Sequence, residues 1–138
     1  MHMRRITLGA AAATLLLLVP ASARAQAKVK WKEIGRTSSG NRVYVDPKSV
    51  HANKDLREAT VRVVFTSPVD SPDGPLFATR TKGTFNCTTR RLAAKENTFF
   101  GNAKETKVVE HKVNKVPGFG WVPEGSMGAV AIAYLCKP

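Results

Sequence analysis

Cys87 and Cys136 are the only two thiols in the chain, about 50 residues apart, and they constrain the fold more than any other feature of the sequence. What they do depends on where the chain folds. Arg4 and Arg5 form a positive start, the apolar run Ile6–Val19 follows, and Pro20 ends it. Ala21-Ser22-Ala23 and Ala23-Arg24-Ala25 then offer small-x-small cleavage sites, and residues 1–25 read as a secretory signal removed after Ala25. The run is shorter than the roughly 20 residues needed to cross a bilayer, so no transmembrane segment is expected in the mature chain, 26–138. No Cys lies near the cleavage point, so no lipid attachment is expected. In an oxidising compartment an even pair of cysteines normally joins, and one structural disulfide is the reading. A redox dithiol would need Cys-x-x-Cys, a structural zinc four ligands at short spacing, and a covalent haem Cys-x-x-Cys-His. None of these patterns occurs.

The signal segment contains three Arg and no acid, so the net charge of +12 falls only to +9 for the mature chain. The basic bias therefore belongs to the folded domain and favours anionic partners. Of the 138 residues, 43% are hydrophobic and 23% charged, which suits one globular core and excludes a polytopic membrane protein.

Alternation with a period of two dominates the mature sequence. Residues 28–34 place Lys28, Lys30 and Lys32 on one side and Val29, Trp31 and Glu33 on the other. After a turn at Gly35–Gly40, Asn41–Asp46 is rich in β-formers until Asp46-Pro47 stops it. Glu58–Thr66 puts Val61, Val63 and Phe65 on a buried face, with Thr60, Arg62 and Thr66 outside. Ser67–Pro75 reads as a loop. Leu76–Cys87 places Thr79, Thr81, Gly83 and Phe85 on one face and Arg80, Lys82 and Thr84 on the other. Thr88–Phe100 and Lys104–Val113 complete about six strands. An irregular loop spans Asn114–Pro123. Ser126 then caps a short helix whose apolar stripe is Met127, Val130, Ala131 and Tyr134. With Cys136 at the helix end, a bond to Cys87 would fasten a terminal helix to the middle of the sheet, giving an α+β domain.

Catalytic chemistry is thinly represented. His51 and His111 sit in no recognisable motif and read as solvated. Ser126 reads as a helix cap rather than a nucleophile, and Asp46 as a brace for its turn. No cofactor motif or phosphate-cradling glycine loop is present. The cations are more suggestive. Lys28, Lys30, Lys32, Arg62, Arg80 and Lys82 all phase away from the expected buried face. A scatter of solvated charges is the commoner arrangement; gathered on one face, they would engage lipopolysaccharide, an acidic glycan or a negatively charged protein. Nucleic acid is not an expected partner, because export separates the protein from it and aromatics do not interleave with the basic residues. Phe119 and Trp121 lie in a Gly/Pro loop. They would serve as anchors for a protein partner, but in a small sheet domain a loop Trp more often covers the core edge, and core cover is the expectation.

The order of these features resembles the surface-adhesin E family. The pieces that carry the likeness are Trp31-Lys32-Glu33-Ile34-Gly35, Val43-Tyr44-Val45-Asp46-Pro47-Lys48-Ser49-Val50, Thr84-Phe85-Asn86-Cys87, and Trp121-Val122-Pro123-Glu124-Gly125-Ser126 leading to Cys136. They span nearly the whole mature chain. The resemblance implies a mainly antiparallel sheet with one helix joined to it by the disulfide, and it admits a homodimer. It implies an adhesin-like binding module without catalysis. The rivals are a periplasmic structural or accessory protein of the envelope and, further off, an unrecognised hydrolase.

Overall fold

Runs of β-branched and aromatic residues alternating with polar ones suit a half-buried pleated surface, and here they build one sheet. The computed structural model describes residues 28–138. The signal segment expected over 1–25 lies outside the described residues. In chain order the elements are β1 (Lys32–Arg36), β2 (Arg42–Val45), a 3-10 turn (Pro47–Ser49), β3 (His51–Asn53) and β4 (Leu56–Val69). β5 (Leu76–Asn86), β6 (Arg91–Phe100), β7 (Val108–Val113), β8 (Gly120–Trp121) and α1 (Met127–Leu135) follow. The sheet runs β1-β2-β4-β5-β6-β7, with β3 added to β4 and β8 to β6, and every pairing is antiparallel.

The sheet thus has eight strands rather than six. The through path contains the six expected ones, and the additions are three and two residues long, too short to display a period. The first strand also starts later than expected, at Lys32. Its partner β2 ends at Val45 and Asp46-Pro47 follows, so residues 28–31 have no ladder to join. β4 runs beyond Thr66 to Val69, carrying Pro68 through a stretch where the register with β5 is irregular, the place where a strand tolerates proline. Asp46 braces its turn as expected, its Oδ1 accepting from the Lys48 N–H at 3.0 Å.

One face of the sheet carries the cluster that packs on the helix, while Ala78 and Phe100 are buried beside Arg80 on the other. Val43 and Val45 of β2, Ala59, Val61 and Val63 of β4, and Phe85 of β5 pack against Ala131, Ile132 and Leu135 of α1. The helix buries Gly128, Ala131, Ile132 and Leu135, one position on from the expected stripe; Met127, Val130 and Tyr134 are only partly buried. The segment Met-Gly-Ala-Val-Ala-Ile-Ala-Tyr-Leu is apolar all round, so its periodicity cannot choose a phase. Ser126 caps the helix, its Oγ accepting from the Ala129 N–H at 3.3 Å. Gly125 just before it has φ +73°, a conformation open to glycine, and its carbonyl accepts from the Ser38 N–H at 2.8 Å. That bond ties the start of the helix to the β1–β2 turn. Cys136 at the other end is bonded to Cys87, just past β5, with Cα atoms 5.5 Å apart. The helix is therefore held at both ends, by a backbone bond at one and a covalent bond at the other.

Candidate functional site

The open face of the sheet is built from the residues between the core positions. On β4 and β5, Arg62 stands directly opposite Arg80. Two like charges facing each other across a ladder repel unless something neutralises them. Glu105, from the connection between β6 and β7, does so. Its carboxylate lies 3.1 Å from Arg62 Nε and accepts two hydrogen bonds from Arg80, Nε to Oε1 and Nη2 to Oε2, both 3.2 Å. The Glu105 side chain is 5% exposed and its backbone has φ +57°. Arg62 Nε is buried and has no hydrogen-bond partner among the described residues. Aromatic rings surround the pair. The Arg62 guanidinium carbon lies 5.3 Å from the Tyr44 ring centre and 5.7 Å from that of Trp31; the Arg80 carbon lies 5.2 Å from both Trp31 and Phe100. Guanidinium planes are weakly hydrated and stack readily on such rings.

The six cations expected on one face do not assemble as a group. Arg62 and Arg80 are brought together. Lys82, farther along β5 on the same face, lies 3.6 Å from Glu96. Lys32 pairs in register with core residue Val45 and projects to the helix side, its Nζ 5.1 Å from the Tyr134 ring centre. Lys28 and Lys30 precede β1 and line a recess of about 630 Å³ with Asp46, Pro47 and Lys48. The lysine alternation continues from 28 to 32, but only its last member lies in a strand, and register sends that one to the other face.

The outer margin of the sheet forms a second surface. Among the described residues, the exposed large hydrophobics are Val69, Val108, Val113, Val116, Phe119 and Trp121, and all but Val69 fall on β7, β8 or the segment between them. Trp121 is 77% exposed and Val116 87%, so the expectation that Trp121 covers the core edge is corrected. Its backbone pairs with Arg91 of β6, while Val122 and Leu92 pack on the core instead. Val122 fills that space so fully that a Cβ on Gly128 would meet its Cγ1 at 2.8 Å.

A groove of about 410 Å³ runs between this margin and the open face, lined by His51, Glu58, Thr84, Lys95, Pro117 and Phe119 among others. The Lys95 ammonium hydrogen-bonds Glu58 and holds its carboxyl below the usual carboxylate range. His51 and His111 are exposed, and His111 Nδ1 lies 2.9 Å from Thr98 Oγ1. The described residues contain no group of three or more His, Cys, Asp or Glu placed to hold a metal ion. Ser126 is engaged as a cap, and its hydroxyl donates to the Pro123 carbonyl at 2.6 Å. No helix among the described residues is long and apolar enough to cross a membrane.

Sequence reasoning missed Glu105, Tyr44 and Phe100 as partners of the arginines. Opposition of Arg62 and Arg80 could have been anticipated once β4 and β5 were paired, and it demands an acid; nothing local marks Glu105 as that acid.

The family model described as surface-adhesin protein E matches residues 31–137. No curated protein matches the chain at a significant level. Among solved structures, crystal form II of Haemophilus influenzae protein E is similar with a TM-score of 0.49 at 14% identity, over 73% of this chain and 84% of that one. Protein E from non-typeable Haemophilus influenzae is similar with a TM-score of 0.46 at 13% identity, over 76% of each.

Proposed function

The chain belongs to the surface-adhesin protein E family, and from that premise we propose that it is an exported, non-catalytic binding module that holds a protein partner against the outer margin of its sheet. The signal segment 1–25 would direct residues 26–138 out of the cytosol, and the disulfide between Cys87 and Cys136 suits that destination. The observation that carries the reading is the concentration of exposed apolar side chains on β7, the following segment and β8. Scattered surface hydrophobics are ordinary, but a run of them marks an interaction site, and aromatic residues dominate the binding energy of such sites. Val116, Phe119 and Trp121 are the proposed anchors. β7 is also the last strand on its side of the sheet path, so its outer backbone groups are available to a partner.

Surface labelling of intact cells, followed by adherence of those cells to immobilised extracellular-matrix proteins, tests this reading. The chain should be labelled on intact cells, and Trp121→Ala should abolish most of the adherence it confers. A chain labelled only after the outer membrane is opened would favour the periplasmic accessory role, and saturable turnover of a substrate would favour a hydrolase.

A further inference from the structure

We infer that Arg62, Arg80, Trp31 and Tyr44 form a site for the acidic group of a glycan, on the open face and separate from the proposed protein-binding margin. The site holds two guanidinium charges and one carboxylate, and so keeps an excess positive charge. Glu105 divides itself unequally between them. It satisfies Arg80 with two hydrogen bonds, whereas its approach to Arg62 at 3.1 Å lacks hydrogen-bond geometry and leaves the buried Arg62 Nε without an acceptor. Nε itself is out of a ligand's reach, but 19% of the Arg62 side chain and 36% of Arg80 remain exposed, and it is this outer part of the pair that an incoming anion would meet. Glu105 fills the space between the two arginines, so a ligand's oxyanion would bind at their outer edge rather than between them.

The surroundings specify more than an anion. Tyr44 and Trp31 both flank Arg62, and both are partly exposed. Aromatic faces beside a cation suit a ligand that presents an apolar face next to an acidic substituent. A pyranose ring bearing a carboxylate or a sulfate has this character, with its C–H face against a ring and its oxyanion on the guanidinium fork. Sulfated and carboxylated sugars share the chemistry and are separated by the test. Lys82, paired with Glu96 farther along the same face, is outside the ring cluster and serves as the control.

The test uses the disulfide-bonded domain carrying Trp121→Phe, which leaves Trp31 as its only tryptophan. A sulfated hexasaccharide, an unsulfated glucuronate-containing hexasaccharide and a neutral hexasaccharide are titrated against Trp31 fluorescence. At least one acidic sugar should give a saturable change, and the one that binds more tightly identifies the acidic group; the neutral sugar should give none. Arg62→Gln should weaken that binding about tenfold, as expected for a charge-assisted hydrogen bond. Arg62→Lys should recover only part of it, because the ammonium keeps the charge without the planar fork. Lys82→Gln should change it less than about twofold. Equal losses in Arg62→Gln and Lys82→Gln, a silent Trp31, or tighter binding of an oligothymidylate than of either acidic sugar would overturn the inference. Adherence through the outer margin is scored separately with Trp121→Ala, so failure at one surface leaves the other to be judged alone.

Discussion

The two faces of β4 and β5 come from the same residues taken alternately, yet they are held together by different forces. One face presents Val61, Val63 and Phe85 to a helix fastened at both ends. The other presents Arg62 opposite Arg80, which no apolar helix could cover, and it is closed instead by Glu105 and stacked aromatics. Apolar burial fills the first face and resists change. The second depends on charges that salt, substitution or a ligand can rearrange. Stability should therefore concentrate on the helix side and recognition on the sides without a helix.

Breaking the helix side should have the largest effect. Replacing both Cys87 and Cys136 with Ser opens a 49-residue separation, and the unfolding free energy from denaturant titration should fall by about 4 kcal/mol. Phe85→Ala removes a fully buried ring and should cost ~3–5 kcal/mol. On the open face, Glu105→Gln leaves two facing arginines without their anion. Arg80 is partly exposed, so the loss is set lower, at about 1–2 kcal/mol, and it should change with ionic strength where the Phe85→Ala loss does not. At the outer margin, Trp121→Ala should leave stability within ~0.5 kcal/mol of the parent. A larger loss would mean that the ring supports the core after all.

The smallest expected effect is on Glu58, whose carboxyl is held low by the Lys95 hydrogen bond and charge. Because its folded-state pKa lies below the unfolded one, the stabilisation it supplies is present above the unfolded carboxylate pKa. It is lost as pH falls through the folded value. Carboxyl NMR titration should show the Glu58 midpoint rising toward the ordinary glutamate range in Lys95→Gln. An unchanged midpoint would exclude Lys95 as the cause.

The helix side was largely legible in the sequence. Alternation placed Val61, Val63 and Phe85 correctly because a period of two leaves little freedom once one face is apolar. Ser126 and the cysteine pair marked the helix start and its tether through local chemistry. The helix phase was not legible, since a segment apolar on every side has no preferred face. Nor was the open-face cluster, because Glu105 meets Arg62 and Arg80 only across the long β4–β5–β6 path. Trp121 was misplaced for a related reason: Val122 and Trp121 compete for one space at the core edge, and sequence cannot say which fills it.

The account rests on recognition lying away from the helix. It is tested most directly by comparing two variants displayed on cells in equal amounts, adhering to the same immobilised matrix proteins. One carries Val116→Ser, Phe119→Ala and Trp121→Ala at the outer margin; the other carries Lys32→Gln, Ala133→Gln and Lys137→Gln, all exposed on the helix side or just beyond the helix. Adherence should drop to background in the first and stay at the parental level in the second. Parental adherence by the margin variant, or its loss from the helix-side variant, would contradict the account.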